Sequence, residues 1–259
     1  MQLKPQEVKS FQKEILAWYR KNKRELPWRR TRDFYRVLVS EIMLQQTQVS
    51  RVIPRYEEWL RMFPTIEALA KASTRDVLRV WSGLGYNRRA LYLKRIAEIL
   101  SSAGRLPHAS NDARGPAGRF PHPMSSVGKL PAGTRWGSPA PVTPRVQLAS
   151  SGYVNVPSTI EELKKLPGIG EYTARAIACF AFDKQVAVVD TNVRKVILTH
   201  FGKNHPESPP AGGAKDPKRE QTDSGQARMT VREIQHIADQ LLPVGKAYDW
   251  NHALMDYSA

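Results

Sequence analysis

Cysteine is the scarcest residue of this chain: Cys179 is the only one in 259 residues. A disulfide framework is therefore excluded, and one thiol cannot by itself hold a structural zinc or an iron–sulfur cluster. No run of about 18 apolar residues occurs, so no segment has the make-up of a membrane-spanning helix. The N-terminal stretch MQLKPQEVKSFQKEILAWYRKNKRE is charged and amphipathic. It lacks the apolar centre of a signal peptide. Acid is scarce as well: 24 Asp and Glu stand against 40 Lys and Arg, a formal net charge of +16. Such a balance puts polyanions first among partners, and nucleic acid first among polyanions. With 41% hydrophobic residues there is apolar material for one large or two small cores. These bounds predict a soluble, intracellular, basic protein.

Strand signals are few, and QVAVVD (185–190) is the one candidate, better read as a connection between helices. Helical periodicity dominates instead. Residues 6–22 space Val8, Phe11, Ile15, Leu16 and Trp18/Tyr19 for a helix that Pro27 ends. Residues 34–46 and 48–62 read as two more helices, with Pro54 near the start of the second, where it is tolerated. Thr65 and Ser73/Thr74 read as N-caps of the next two. RRALYLKRIAEILSSAG follows and ends at Gly104. Proline and glycine are concentrated in 105–152, which holds 8 of the 19 prolines and, in Asp112, a single acid against six Lys and Arg. That composition cannot bury enough apolar surface to offset its ordering entropy, and it reads as a disordered basic insertion. Residues 203–228 read as a second. Either insertion is loop filler or a basic arm that holds DNA without sequence preference.

Three motifs carry chemistry. LPGIG (166–170) lies between TIEELKKL and EYTARAIACFAF, so it reads as helix, Gly-rich hairpin, helix. Its turn N–H groups and the second helix's first turn form an anion site suited to a DNA phosphate. The bland reading is an ordinary helix–turn–helix connection. Glu41 sits among Val37, Leu38, Val39, Ile42, Met43 and Leu44. Desolvation there raises a carboxyl's pKa toward that of a general acid working near neutrality. Its bland reading is the exposed stripe of an amphipathic helix. Gln45, Gln46, Thr47 and Gln48 follow, apt for hydrogen bonds to bases. Asp190, in VVDTNVRKV, follows three apolar positions. It reads as a helix N-cap that can serve chemistry if the helix end faces a pocket.

The segments LPWRRTRDFYRVLVSEIMLQQTQVSRVIPRYEEW, FPTIEALAKAS, WSGLGYNRRA, LPGIGEYTARAIACFAF, VVDTNVRKV and NHALMD occur in one order. Together they resemble the adenine DNA glycosylases of the MutY type, within the helix–hairpin–helix glycosylase superfamily. The likeness covers residues 6–104, 153–202 and 229–259. It implies an all-α, two-domain fold. The six-helix barrel domain, 31–187, would carry the hairpin. The second helical domain would join residues 1–30 to 188–259, with DNA across the cleft between the two and the target adenine flipped into it.

By the same resemblance, Glu41 protonates the adenine and helps activate water. Asp190 stabilises the oxocarbenium-like sugar, and Asn192 helps position both. Tyr172 stands where lyase-competent relatives carry a nucleophilic lysine, so monofunctional hydrolysis is implied. Leu26, Trp28 and Arg29 line the adenine pocket. Gln46 and Tyr86 fill the stack around the lesion pair, with Gln45 and Gln48 nearby. His252 stands where Gln or Glu often contacts adenine. Leu166, Gly168, Ile169 and Gly170 would bind the DNA backbone. DTN replaces the more usual DGN.

Family members usually carry four cysteines just after the segment that matches LMDYSA, ligating a 4Fe–4S cluster. This chain ends at Ala259 without them. It is therefore either a cluster-free variant or a truncated one, with no cofactor expected and no metal site. The family's C-terminal domain for 8-oxoguanine recognition is missing as well. The implied partner is double-stranded DNA with adenine opposite 8-oxoguanine or guanine, bound by a monomer that lies with DNA inside the cell. A thymine or uracil mismatch glycosylase of the same superfamily, or a non-catalytic DNA-binding protein, are the alternatives.

Overall fold

The computed structural model describes residues 2–103, 145–147, 153–202 and 229–258. Its elements run α1 (Pro5–Asn22), a 3-10 turn (Pro27–Arg30), α2 (Phe34–Leu44), α3 (Val49–Met62), α4 (Ile66–Lys71), α5 (Thr74–Trp81) and α6 (Arg88–Ala103). They continue with β1 (Arg145–Gln147), β2 (Tyr153–Asn155), α7 (Ile160–Leu163), α8 (Glu171–Phe180), α9 (Thr191–Phe201), α10 (Val231–Leu241) and α11 (Ala247–Tyr257).

Helix starts follow local chemistry. Asp33, Thr65, Ser73, Thr159, Asp190 and Thr230 each accept a backbone N–H of the first turn they cap. Thr159 with Glu162 and Thr230 with Glu233 complete capping boxes. Pro54 lies inside α3, five residues after its first residue Val49. Residues 185–190 form no strand and connect α8 to α9.

The strands arise elsewhere, which corrects the reading of 105–152 as disordered throughout. Inside that segment β1 forms, and it pairs antiparallel with β2 just beyond it, Val146 opposite Val154. Main-chain hydrogen bonds between two short β-branched segments need no apolar core, so the composition argument did not reach them. The remainder of the 105–152 reading, and all of 203–228, lies outside the described residues.

Among the described residues two hydrophobic cores form. The larger gathers α2 through α8 around Trp59, Trp81, Leu38, Ile42, Leu93 and Ile177. The smaller packs α1 against α9, α10 and α11 through Phe11, Ile15, Ile197, Ile237, Leu241 and Trp250. Helix α11 serves both, Ala247 in the larger core and Trp250, Ala253 and Leu254 in the smaller. Helix α2 is buried from Phe34 to Met43 except at Arg36. Each of its aliphatic side chains contributes about 1.5–3 kcal/mol by leaving water, enough together to carry a carboxylate at Glu41.

Candidate active site

A cleft of about 1370 Å³ opens beside the end of α2. It brings together residues from distant parts of the chain. Leu26, Trp28 and Arg29 come from the 3-10 turn and its approach, Glu41 from α2, and Gln46 and Gln48 from the α2–α3 loop. Tyr86 comes from the loop before α6, Tyr172 from the first turn of α8, Asp190 and Asn192 from the start of α9, and His252 from α11. Leu166, Gly168, Ile169 and Gly170 do not line it. They form the α7–α8 hairpin, with Leu166 and Ile169 buried and both glycines exposed. Gly168 adopts φ +78, and a Cβ there would run into the Tyr92 ring. Only glycine fits the turn at that point.

Glu41 is 6% exposed, and its Oε2 is buried without a hydrogen-bond partner. Burial pushes its carboxyl up from 4.5 to about 7. A hydrogen bond from the Tyr172 phenol and the charge of Arg29 oppose the rise, and the nearby Asp190 charge adds to it. At neutral pH the group is divided between acid and base, as a proton donor that is later to activate water requires. The Tyr172 phenol is held far above its ordinary range by burial first, then by the two carboxylates, and so stays a neutral donor.

Asp190 caps α9, accepting from Asn192 N at 2.9 Å and Val193 N at 2.6 Å. Burial raises its pKa, while these N–H groups pull it back. A carboxylate fixed at a helix N-terminus with its charge facing the cleft is an electrostatic partner for a developing cation. The N-cap reading and the chemical reading thus describe one geometry.

The wall opposite is aromatic and basic. Trp28 meets Tyr56 edge to face at 5.4 Å. His252 stacks on Phe180 at 4.2 Å and 9°. Burial, with the charge of Arg29 next, drives the His252 pKa far below 6.5, so the ring is neutral. Its Nδ1 and the Nε of Arg29 are both buried without a protein partner. Arg29 is gripped by Asp256, Nη1 to Oδ2 at 2.7 Å and Nη2 to Oδ1 at 2.9 Å. Arg24, on the cleft rim, joins the same carboxylate through N and Nε at 3.0 and 2.6 Å.

Sequence reasoning missed Asp256, Arg24, Phe180 and Arg89. Asp256 could have been suspected, as an acid inside the apolar ALMDY pattern of α11. Gln46 and Tyr86 are exposed, both in left-handed backbone at φ 55 and 47. Gln48 is the exposed N-cap of α3, and Gln45 reaches Thr173 Oγ1 at 3.3 Å.

Residues 39–210 match the HhH-GPD superfamily of base excision DNA repair proteins, and the chain belongs to that family. It is 39% identical over 184 residues to the adenine DNA glycosylase of Mycobacterium tuberculosis, covering 71% of this chain and 45% of that protein. It is 34% identical over 247 residues to that of Mycolicibacterium smegmatis, covering 95% and 61%. For the Homo sapiens protein the figures are 32% over 262 residues, 98% and 36%. The chain thus spans about half the length of the bacterial relatives and less of the human one. Its fold is that of a thermostable thymine-DNA glycosylase, at TM-score 0.63 and 24% identity over 98% of this chain and 87% of that one. It also matches endonuclease III in a non-covalent DNA complex, at TM-score 0.62 and 14% identity over 99% and 86%.

The cluster implied for the family needs four thiolates. Cys179, the one cysteine, is buried in the larger core and receives an N–H from Asn251 at 3.2 Å. Burial pushes its thiol up to about 12. The residues present do not fit a 4Fe–4S cluster. Among the described residues no group of three His, Cys, Asp or Glu could hold a metal ion, and no helix is long and apolar enough to cross a membrane.

Proposed function

We propose that this chain is an adenine DNA glycosylase that hydrolyses the N-glycosidic bond of adenine mispaired with 8-oxoguanine or guanine. The observation that carries the reading is the buried Glu41, its carboxyl lifted to about 7 in a cleft shared with Asp190 and Tyr172. The adenine glycosylases to which the chain is 32–39% identical support it. Glu41 donates a proton to the flipped base, which leaves as a neutral purine. The cationic sugar forms beside Asp190, and the Glu41 carboxylate then takes a proton from the attacking water. Asn192 helps to position these groups. Leu26, Trp28, Arg29 and His252 hold the base, while Gln46 and Tyr86 fill the stack around the lesion pair, with Gln48 beside it.

The two cores are read as two domains, one reaching from 31 to 187 and the other joining 1–30 to 188–259, with duplex DNA across the cleft. The 166–170 hairpin holds the DNA backbone, and its exposed glycines allow close approach of a phosphate. The protein acts as a monomer, with the DNA inside the cell.

The test is release of base from duplexes with adenine opposite 8-oxoguanine or guanine, read as strand breakage after hot alkali. Breakage at adenine supports the reading. Breakage only at thymine or uracil opposite guanine replaces it with a pyrimidine mismatch enzyme. Binding without breakage leaves a DNA-binding protein.

A further inference from the structure

The last carbonyls of any α-helix lack intrahelical partners. At the end of α2, the helix that bears Glu41, Arg89 supplies them. Its Nη1 donates to the carbonyl oxygens of Ile42 at 3.1 Å, Met43 at 3.0 Å, and Gln45. Its Nη2 donates to Thr47 Oγ1 at 3.0 Å and to the carbonyls of Leu84 at 2.9 Å and Gly85 at 3.2 Å. The residue is 6% exposed, beneath Tyr86 and beside Trp81, whose indole N–H also donates to Gly85 O at 2.9 Å. All six acceptors are neutral oxygens, so the charge is stabilised by dipoles, including the negative end of α2. The six bonds come from the four N–H groups of its two terminal nitrogens, a planar fork that no ammonium reproduces, while Arg89 Nε is left buried without a partner.

The two loops so joined carry exposed side chains on this edge of the cleft. Gln46 and Tyr86 are both non-glycine residues at positive φ, and Tyr86 is 67% exposed. Such backbone persists only where its surroundings over-determine it. Arg89 provides that constraint for both loops from one point.

We propose that Arg89 is a positioning residue that locks the 45–47 and 84–86 loops to the end of the catalytic helix, making Gln46 and Tyr86 a single rigid wedge that holds a duplex open. The inference rests on the glycosylase reading of the cleft. Opening a base pair costs stacking energy, and a wedge that gives way under the returning duplex cannot hold the base out.

The experiment uses the full chain and its Arg89→Lys and Arg89→Met variants, with folding checked by circular dichroism. Binding is titrated on a duplex carrying 2-aminopurine opposite 8-oxoguanine at the target position, whose fluorescence reports base opening. Excision is followed on the adenine duplex at saturating protein. Lysine keeps the charge and stem but has three donors for six acceptors. Its half-saturating concentration is expected to rise about tenfold and its opening signal to fall, as lost charge-assisted hydrogen bonds predict. The pH midpoint of excision, set by Glu41, should stay at the wild-type value. Arg89→Met should be weaker still; if it does not fold, Arg89→Lys decides. A folded Arg89→Lys protein with wild-type affinity and opening, changed only in melting temperature, overturns the proposal. Failure of the wild type to release adenine would sink the glycosylase reading, whereas the brace is judged separately, from binding and opening.

Discussion

Asp256 holds Arg29 through both of its terminal nitrogens, at 2.7 and 2.9 Å, with the Asp256 side chain 1% exposed and the Arg29 side chain 10%. Arg29 Nε is left as a buried donor on the cleft wall, with no protein acceptor. The ion pair therefore fixes where one unsatisfied N–H faces the cleft. Asp256→Asn should destabilise the fold by about 3 kcal/mol, because it leaves a buried guanidinium uncompensated. Urea unfolding checks this, and single-turnover excision should slow in the folded fraction. Burial alone would raise the Asp256 pKa, but the hydrogen bonds from Arg29 and Arg24 outweigh it and hold the group below 3.8. A lowered carboxyl contributes stability above its unfolded pKa and loses it as pH falls through the folded one. The wild type's advantage over Asp256→Asn should therefore fade only on acidification below about pH 4.

Glu41 predicts the opposite sign. Its folded pKa of about 7 exceeds the ordinary 4.5, so the wild type loses stability as pH rises between those two values. Glu41→Gln removes the buried charge. The variant should be more stable than the wild type above neutrality, by on the order of 3 kcal/mol for a shift of this size, and similar to it at pH 4. Paired melting curves at the two pH values read the difference directly. Excision should fall by about 10²–10⁴-fold with duplex binding retained. In the wild type the single-turnover rate should decline as pH rises through about 7, as the acid is lost. A flat rate profile from pH 5 to 9 would remove Glu41 from the acid's role.

The hairpin separates its two glycines. A Cβ at Gly168 would strike the Tyr92 ring and sit at φ +78, whereas at Gly170 nothing lies within 4 Å. Gly168→Ala should cost about 1–3 kcal/mol of stability and shift the hairpin against α6. Gly170→Ala should leave the melting temperature near wild type. If both glycines also admit a phosphate, both variants weaken duplex binding and reduce its salt dependence, but only Gly168→Ala unfolds early. Titrations at two salt concentrations beside thermal melts separate the effects.

What was readable in the sequence was chemical incongruity. Glu41 stood out because a carboxylate interrupted an apolar run, and LPGIG because two glycines interrupted a helical pattern. Asp190 was legible in both its capping and its polar context, since these depend on neighbours in the chain. Arg89 was not. One of two arginines after GLGYN looks like a solvated face, and its acceptors lie 42–47 residues earlier in the chain as well as next to it. Asp256 meets Arg29 across 227 residues, a closeness that only the packing of α1 on α11 creates. The β1–β2 ladder escaped because three-residue strands leave no periodic trace in a Pro- and Gly-rich stretch.

Tyr172 is the position where the monofunctional reading can be tested. It occupies the second residue of α8, directly after the hairpin, and its phenol faces Glu41. A phenol cannot form the Schiff base that strand cleavage by β-elimination requires, so the wild type should release base and leave an abasic strand that breaks only in alkali. Borohydride should trap little covalent adduct on a duplex with adenine opposite 8-oxoguanine. Tyr172→Lys places an amine where burial and the basic cleft disfavour its charged form, although the Glu41 and Asp190 carboxylates oppose that shift. Some of the variant should therefore attack as free amine and be trapped as a protein–DNA adduct. Efficient trapping by the wild type would assign the nucleophile to another lysine and overturn the monofunctional reading. With the wild type untrapped, a Tyr172→Lys protein that still releases adenine but forms no adduct would show that α8 does not aim this position at the sugar.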